Sequence, residues 1–168
     1  AMGGVGSDAA VEAADLVVRR DDVVGRAARA LAEGKALGWF DGAAEHGSVP
    51  LGHRSIFCAP GALAGRERLQ RAKARLAPIP PVLAVLEARA SDYLVLPQPS
   101  PGGELVATVR PEHQEALGAQ VRVQTVTPEA TPRLAELLEV VGERTGLPLL
   151  LQTSFNLHGE TPVESPAQ

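Results

Sequence analysis

Residues 131–159 read TPRLAELLEVVGERTGLPLLLQTSFNLHG, and this stretch decides the fold class. Its first half places leucine and valine at intervals of three and four, which predicts a helix that opens at Thr131, runs through Gly142 and is closed by Thr145 and Gly146. The apolar run 147–151 predicts a buried strand, and the polar residues 152–159 predict a loop. A helix followed closely by a buried strand is typical of an α/β or α+β domain.

The rest of the chain continues this mixture of short strands and few helices. A helix is predicted from Asp21 to its end at Gly34, and a basic helix over residues 63–75. Residues 88–93 are predicted to form a turn. No segment repeats, so we expect one core and no second domain. The predicted strands cover residues 36–40, 56–59, 82–86, 93–96, 105–109 and 121–126.

Composition excludes several classes of protein. The chain has 168 residues, 45% of them hydrophobic and 21% charged, the balance of one ordinary globular domain. The net charge of -4 and an aromatic content of 3% argue against nucleic-acid binding, which favours basic surfaces and stacking rings. No apolar stretch is long enough to span a membrane. We therefore expect a cytoplasmic protein with neither a nucleic-acid nor a membrane partner.

Cysteine, histidine and the N-terminal residues add further expectations. Cys58 is the single cysteine, so no intrachain disulfide can form, and its apolar neighbours predict a buried thiol. The four histidines lack the spacing of a zinc site, so we expect no metal site. Residues 1–7 are small and flexible in composition, and no secretory signal is present in residues 1–15. We expect them to be disordered and residues 16–168 to form the domain.

Three polar segments at the ends of apolar runs are candidate binding sites. In residues 45–55, glycines allow close backbone approach and Arg54 can fork onto a phosphate or carboxylate; a loop with a surface arginine is the equal alternative. Lys73 and Arg75 would share one face of an extended segment and attract an anion, although spacing by itself favours a solvated helix end. Residues 153–160 lie where α/β sheets bind ligands, or else form a turn held by its own side chains.

Four ordered blocks carry a resemblance to a known family. They are residues 33–56, which open with EGKALGWFDG, residues 73–93, residues 121–126 (VRVQTV) and residues 145–160 (TGLPLLLQTSFNLHGE). Together they resemble the C-terminal YrdC-like domain of the O-carbamoyltransferases of bacterial natural-product, antibiotic and nodulation-factor biosynthesis. The match extends over residues 16–166.

The resemblance implies a fold and an activity. The fold would be a single YrdC-like α/β (α+β) domain, a twisted mixed sheet with flanking helices. Such domains are similar to threonylcarbamoyl-adenylate synthases and convert ATP and carbamoyl phosphate to carbamoyl-adenylate. An actin-like domain, which holds an iron ion, then transfers the carbamoyl group to a hydroxyl. By this resemblance ATP and carbamoyl phosphate are candidate substrates, and iron is expected only on an actin-like partner.

The resemblance also assigns site residues. The family's K-x-R pair matches Lys73 and Arg75, which are expected to be catalytic. Its S-x-N pair, which surrounds the nucleotide phosphates, matches Ser154 and Asn156. The matched blocks contribute four further binding residues: His53, Arg54, Ser55 and Arg122.

Several family positions carry a different residue here. Val49, Ile79 and His158 stand where the family has arginine, while His53 and Gln152 stand where it has asparagine. A charge-assisted hydrogen bond contributes about 1.5–3 kcal/mol. Loss of three arginines therefore predicts that a polyanion such as ATP binds weakly or not at all.

Three functions follow from these kept and lost residues. In the first, the chain forms carbamoyl-adenylate for a separate actin-like carbamoyltransferase-type chain. In the second, it is a subunit of a split transferase or lyase-type enzyme whose anion pocket serves another group transfer, elimination or ring closure that expels sulfate or phosphate from a small-molecule substrate. In the third, it only stabilises its partner. The lost arginines favour the second and third, and the kept pairs favour the first and second.

Overall fold

The structure is a computed structural model that describes residues 21–43, 49–61, 67, 69–70, 80–156 and 160–163. Its strands are β1 (Leu37–Phe40), β2 (Arg54–Cys58), β3 (Val82–Leu86), β4 (Leu94–Val95), β5 (Leu105–Val109), β6 (Gln120–Val126) and β7 (Leu149–Ser154). Helices with defined bounds are α1 (Val23–Ala32), α2 (Ala90–Tyr93), α3 (Gln114–Leu117) and α4 (Pro132–Thr145). Two 3-10 turns, Glu87–Arg89 and Pro111–His113, precede α2 and α3.

The strands pair into one sheet in the order β1-β2-β7-β3-β6-β5-β4. Among the described strands, β3 and β6 are parallel neighbours and every other pair is antiparallel. β7, the last strand along the chain, lies between β2 and β3. The prediction of a mixed sheet with flanking helices is confirmed.

Alternating side chains build a core on each face of the sheet. On one face, Trp39, Phe57 and Leu150 pack with α1 and α4; we call this the first core. On the other face, residues such as Leu83 and Tyr93 form the second core. Full burial of such a side chain contributes about 1.5–3 kcal/mol. The sheet therefore carries one hydrophobic core on each of its two faces.

Both long helices begin and end on residues that the sequence marks. The Asp22 side chain accepts a hydrogen bond from the Gly25 amide at the start of α1. Pro132 opens α4, and Gly146 ends it with a φ of 79° in the left-handed region. The predicted closure of this helix at Thr145 and Gly146 is confirmed, since α4 continues past Gly142 through Thr145.

Most predicted strands are confirmed, although β2 begins two residues earlier than predicted. Two further segments differ from prediction. Residues 88–93 form helical turns rather than a simple turn. Residues 152–154 belong to β7 rather than to a loop, because β2 pairs with them in full register. Of the predicted helix over residues 63–75, residues 67 and 69–70 are helical and the others lie outside the described residues, as do residues 1–15.

Two further observations concern Cys58 and the membrane. The Cys58 thiol is fully buried in the second core, as predicted. Within the described part of the chain, no helix combines the length and the hydropathy that crossing a bilayer requires.

Gly52 fixes the approach of the loop before β2 to helix α4. Its φ is 89°, in the region that side chains with a Cβ rarely adopt. A Cβ at this position would also collide with the Leu134 side chain at the start of α4. The position therefore needs glycine for its backbone conformation and for its packing.

Substituting Gly52 with alanine is expected to lower the free energy of unfolding by about 2–5 kcal/mol, the sum of left-handed strain and overpacking. Gly146→Ala is a matched control for strain, because Gly146 also has a positive φ but faces open space. It should lose only about 1–2 kcal/mol. Chemical denaturation measures both. Equal losses in the two variants would contradict the packing contribution of Leu134.

Candidate functional site at one edge of the sheet

The topology gathers polar residues from distant parts of the chain at one edge of the sheet. This edge consists of strand ends rather than of an edge strand: β2, β3 and β6 begin there and β7 ends there. We call it the site edge. Ser55 lies opposite Ser154, and Arg122 lies opposite Val82. Strand alternation places Ser55, Ser154 and Arg122 on the face of the first core. Three of the predicted site residues therefore share one face at one edge.

Arg122 is solvent-exposed and is held by the loop before β5. Its Nε donates to the Gly103 carbonyl at 2.7 Å. Val49 packs against the same glycine, since a Cβ on Gly103 would lie 2.8 Å from Val49 Cγ1 and 3.7 Å from Val82 Cγ1. An isopropyl group thus occupies the neighbourhood of the Arg122 guanidinium.

Arg54 occupies a different environment from the one that the sequence suggested. Its side chain is buried, with the residue only 4% exposed. Nη1 donates to the carbonyls of Asp41 (2.9 Å) and His53 (3.0 Å), and Nη2 donates to the carbonyl of Gly42 (3.1 Å). The guanidinium carbon lies 3.5 Å from the Phe40 ring centroid. Arg54 therefore ties the end of β1 to the start of β2, and its role as a ligand stays a prediction.

His53 is half-buried and takes part in the same junction. Its Nδ1 lies 3.1 Å from the Asp41 carbonyl oxygen. Because a carbonyl oxygen only accepts, Nδ1 must carry the proton that this hydrogen bond uses.

Ser154 and Asn156 form a short polar turn at the end of β7. Ser154 Oγ donates to Asn156 Oδ1 at 2.7 Å, and Asn156 Nδ2 donates to the Glu160 carbonyl at 2.7 Å. These bonds match the turn that the sequence offered as an alternative to a ligand site. They also fix the S-x-N pair in one orientation, which is compatible with ligand binding.

Two buried glutamines, Gln124 on β6 and Gln152 on β7, were not predicted as site residues. Gln152 Nε2 donates to Gln124 Oε1 at 2.6 Å, across β3. Gln124 Nε2 donates to the Leu51 carbonyl at 2.9 Å, and Ser55 Oγ donates to Gln152 Oε1 at 3.2 Å. Gly52 N donates to Ser55 Oγ at 3.1 Å. A polar residue in each of two apolar strands was the available signal, but their pairing depends on the sheet order.

Lys73 and Arg75, the predicted catalytic pair, lie outside the described residues. The other lysine, Lys35, lies at the opposite edge of the sheet, where its Nζ is 2.7 Å from Glu33 Oε2. That hydrogen bond and the positive charge lower the pKa of the exposed Glu33 carboxyl. Among the described residues no group of three histidine, cysteine, aspartate or glutamate side chains can hold a metal ion.

The sequence matches known proteins along most of its length. The profile of a family described as Carbamoyltransferase C-terminus matches residues 28–168. The chain is 35% identical over 180 residues to nodulation protein NolNO of Sinorhizobium fredii, covering 97% of this chain and 26% of that protein. It is 33% identical over 159 residues to NolO of Bradyrhizobium diazoefficiens, covering 89% and 29%.

A relative with a named activity is the 3'-hydroxymethylcephem-O-carbamoyltransferase of Streptomyces clavuligerus. It is 31% identical over 139 residues, which is 78% of this chain and 26% of that enzyme. The chain therefore spans between 26% and 29% of the length of these three relatives.

Two solved structures share the fold. A doubly substituted Sua5 from P. abyssi superposes with a TM-score of 0.54 at 15% identity, covering 83% of this chain and 40% of that chain. Full-length HypF, in a phosphate- and nucleotide-bound form, gives 0.56 at 16% identity, covering 87% and 19%. At these identities the likeness shows the fold, and it confirms the predicted YrdC-like domain.

Substituting Arg54 with lysine is expected to lower the free energy of unfolding by about 2 kcal/mol, because one ammonium cannot reproduce a planar fork that serves three carbonyls and a ring. Arg26→Lys, at an exposed position of α1, should change it by less than about 0.5 kcal/mol. Urea denaturation measures both variants. Equal stability of Arg54→Lys and the wild type would contradict the structural role of this arginine.

Proposed function

The chain belongs to the family described as Carbamoyltransferase C-terminus, and from this premise we propose that it is a subunit of a split carbamoyltransferase-like enzyme of specialised metabolism. It works with an actin-like carbamoyltransferase-type chain. Its pocket at the site edge serves a group transfer, an elimination or a ring closure that expels sulfate or phosphate from a small-molecule substrate.

The observation that carries this proposal is the packing of Val49. The residue stands where the resembling family has an arginine, and it fills the space beside Gly103 and Val82 with apolar atoms. A cation at that point would lie close to Arg122, whose Nε reaches the carbonyl of the same Gly103. The site edge has therefore exchanged a positive charge for a hydrophobic contact, which suits a smaller or less charged anion than a triphosphate.

The remaining groups suit a departing oxyanion. When a nucleophile displaces sulfate or phosphate, its electron pair forms the new bond and the pair of the broken C–O bond stays on the leaving group. Donors placed at that oxygen stabilise the charge as it develops. Arg122 and Asn156 are such donors on the described side of the site, while the single hydroxyl proton of Ser154 goes to Asn156 Oδ1 and orients that side chain. Lys73 with Arg75 would supply the further positive charge.

An exposed apolar surface next to the site edge supports the proposal of a partner chain. Val106 lies opposite Arg122 in the sheet and is 59% exposed, and Val95 on β4 is also 59% exposed. Val106 lies on the face of the sheet that carries the first core, but neither valine belongs to that core. Relatives of the chain carry this domain within proteins more than three times its length, as the 26–29% coverage requires. We therefore assign the strip of Val95 and Val106 to contact with the actin-like chain.

A second candidate function is supported by the kept K-x-R and S-x-N pairs. In it, the chain forms carbamoyl-adenylate from ATP and carbamoyl phosphate, while iron resides on the partner. Low-micromolar ATP binding in calorimetry, with pyrophosphate release that depends on carbamoyl phosphate, would favour this function over the first. A purely stabilising subunit is the third candidate, and it needs no ligand at the site edge.

Co-expression with an actin-like carbamoyltransferase-type chain is expected to give a heteromer in gel filtration. Val106→Glu should separate the two chains, because it places a charge in the apolar contact. Val23→Glu is the matched control, since Val23 is 46% exposed on α1, away from the strip, and should leave the heteromer intact. Separate elution of the wild-type chains would contradict the proposed partnership.

Lys73→Ala and Arg75→Ala are each expected to reduce turnover of the assembled complex by about a hundredfold or more, because each removes a donor to the leaving oxyanion. Assembly should be unchanged. Arg71→Ala, which lies near the pair but outside the K-x-R match, is the control and should keep turnover within a few fold. Near-wild-type turnover in both site variants would instead support the stabilising subunit.

A further inference from the structure

The buried glutamines belong to a closed ring that begins and ends on a single peptide group. The Leu51 carbonyl accepts from Gln124, and the Gly52 amide donates to Ser55. Gln152 joins Ser55 to Gln124 and completes the ring. Both ends of the Leu51–Gly52 peptide are therefore held by side chains from three different strands.

The ring has one consistent direction of donation. The Leu51 carbonyl can only accept, so the Gln124 amide must turn its nitrogen toward it and its oxygen toward Gln152. The Gly52 amide can only donate, so the Ser55 hydroxyl accepts from it and gives its own proton to Gln152 Oε1. Both constraints require the same orientation of Gln152. The orientations of all three side chains follow from the peptide they enclose.

Burial makes this orientation costly to change. Ser55 and Gln152 are fully buried and Gln124 is 3% exposed, so water cannot replace a lost partner without opening the core. The two glutamines approach each other over β3, with Gln152 opposite Val82 and Gln124 opposite Ala84. The ring therefore couples the loop before β2 to β6 and β7 at the site edge.

We propose that Gln124 and Gln152 are positioning residues, which hold the Leu51–Gly52 peptide so that the loop at residues 49–53 presents one fixed surface to the anion at the site edge. This inference rests on the proposed function. Loop residue Val49 packs against Gly103, whose carbonyl accepts from Arg122. A rotation of the peptide would shift that packing and, through Gly103, the guanidinium. Ser55 then acts through the ring rather than on the ligand.

The test uses the full chain and two probes, inorganic sulfate and inorganic phosphate. Gln152→Met keeps the length of the side chain and removes its hydrogen bonds, while Gln152→Glu keeps the shape and, as an ionised carboxylate, cannot donate to Gln124. Gln120→Met, at an exposed position of β6, is the control. Hydrogen exchange is followed at the Gly52 amide inside the ring and at the Thr125 amide, which donates to Ser100 outside it.

Both Gln152 variants are expected to raise the exchange rate of the Gly52 amide about tenfold and to leave that of Thr125 unchanged. Their dissociation constants for sulfate and phosphate should rise about tenfold, because a misplaced loop weakens contacts made elsewhere. Gln120→Met should match the wild type in both measurements. If Gln152→Glu fails to fold, the methionine variant decides.

Three results would overturn the inference. Unchanged exchange at Gly52 would mean that the ring does not hold the peptide. Faster exchange with unchanged sulfate and phosphate affinity would mean that the ring contributes to stability and positions nothing. A wild-type chain that binds neither probe would overturn the proposed function together with the inference, which separates that failure from the first two.

Discussion

The pairing of β7 with strands on both sides is the constraint on which the site depends. β7 is the last strand along the chain, yet it lies between β2 and β3 and runs antiparallel to both. Its residues are therefore fixed in register by two ladders. That register places Ser154 opposite Ser55 and Gln152 opposite Val82, so one strand sets the relative positions of the β2 and β3 residues at the site edge.

In a sheet held in this way, a buried polar side chain has few possible hydrogen-bond partners. Gln152 lies in a run that is otherwise apolar, and the residues directly opposite it, Phe57 on β2 and Val82 on β3, supply backbone pairing but no side-chain partner for its amide. An unpaired buried amide would cost about 1–3 kcal/mol. The structure avoids this cost by joining Gln152 to Gln124 and Ser55, and the by-product is a peptide group held at a defined orientation beside the site.

The sequence allows the strands and long helices to be predicted, because each follows from a local pattern. The apolar run 147–151 and the spacing of α4 are visible within a single window of residues. The family resemblance extends this to the YrdC-like fold. The ring of hydrogen bonds is not predictable in the same way, since three of its four bonds join residues 28, 73 and 97 positions apart. Their proximity follows from the sheet order alone.

Arg54 also shows that the local sequence does not determine the role of a side chain. An arginine in a glycine-rich loop is as compatible with an anion site as with a structural junction, and nothing local distinguishes the two. The deciding fact is that β2 begins at residue 54, not at residue 56, which turns the side chain toward the end of β1. There the carbonyls of Asp41 and Gly42 take the place of an anion.

This use of Arg54 sharpens the electrostatic argument for the site edge. Of the described arginines at that edge, Arg54 serves backbone carbonyls and Arg122 remains exposed to solvent. Val49 adds no charge where an arginine is typical of the family. In the proposed function, the attraction for an anion comes chiefly from Arg122 and from the K-x-R pair at Lys73 and Arg75. A site with so few cations can favour one sulfate or phosphate group over a triphosphate. Each positive charge that the site lacks weakens the binding of the more highly charged triphosphate more than that of a single sulfate or phosphate.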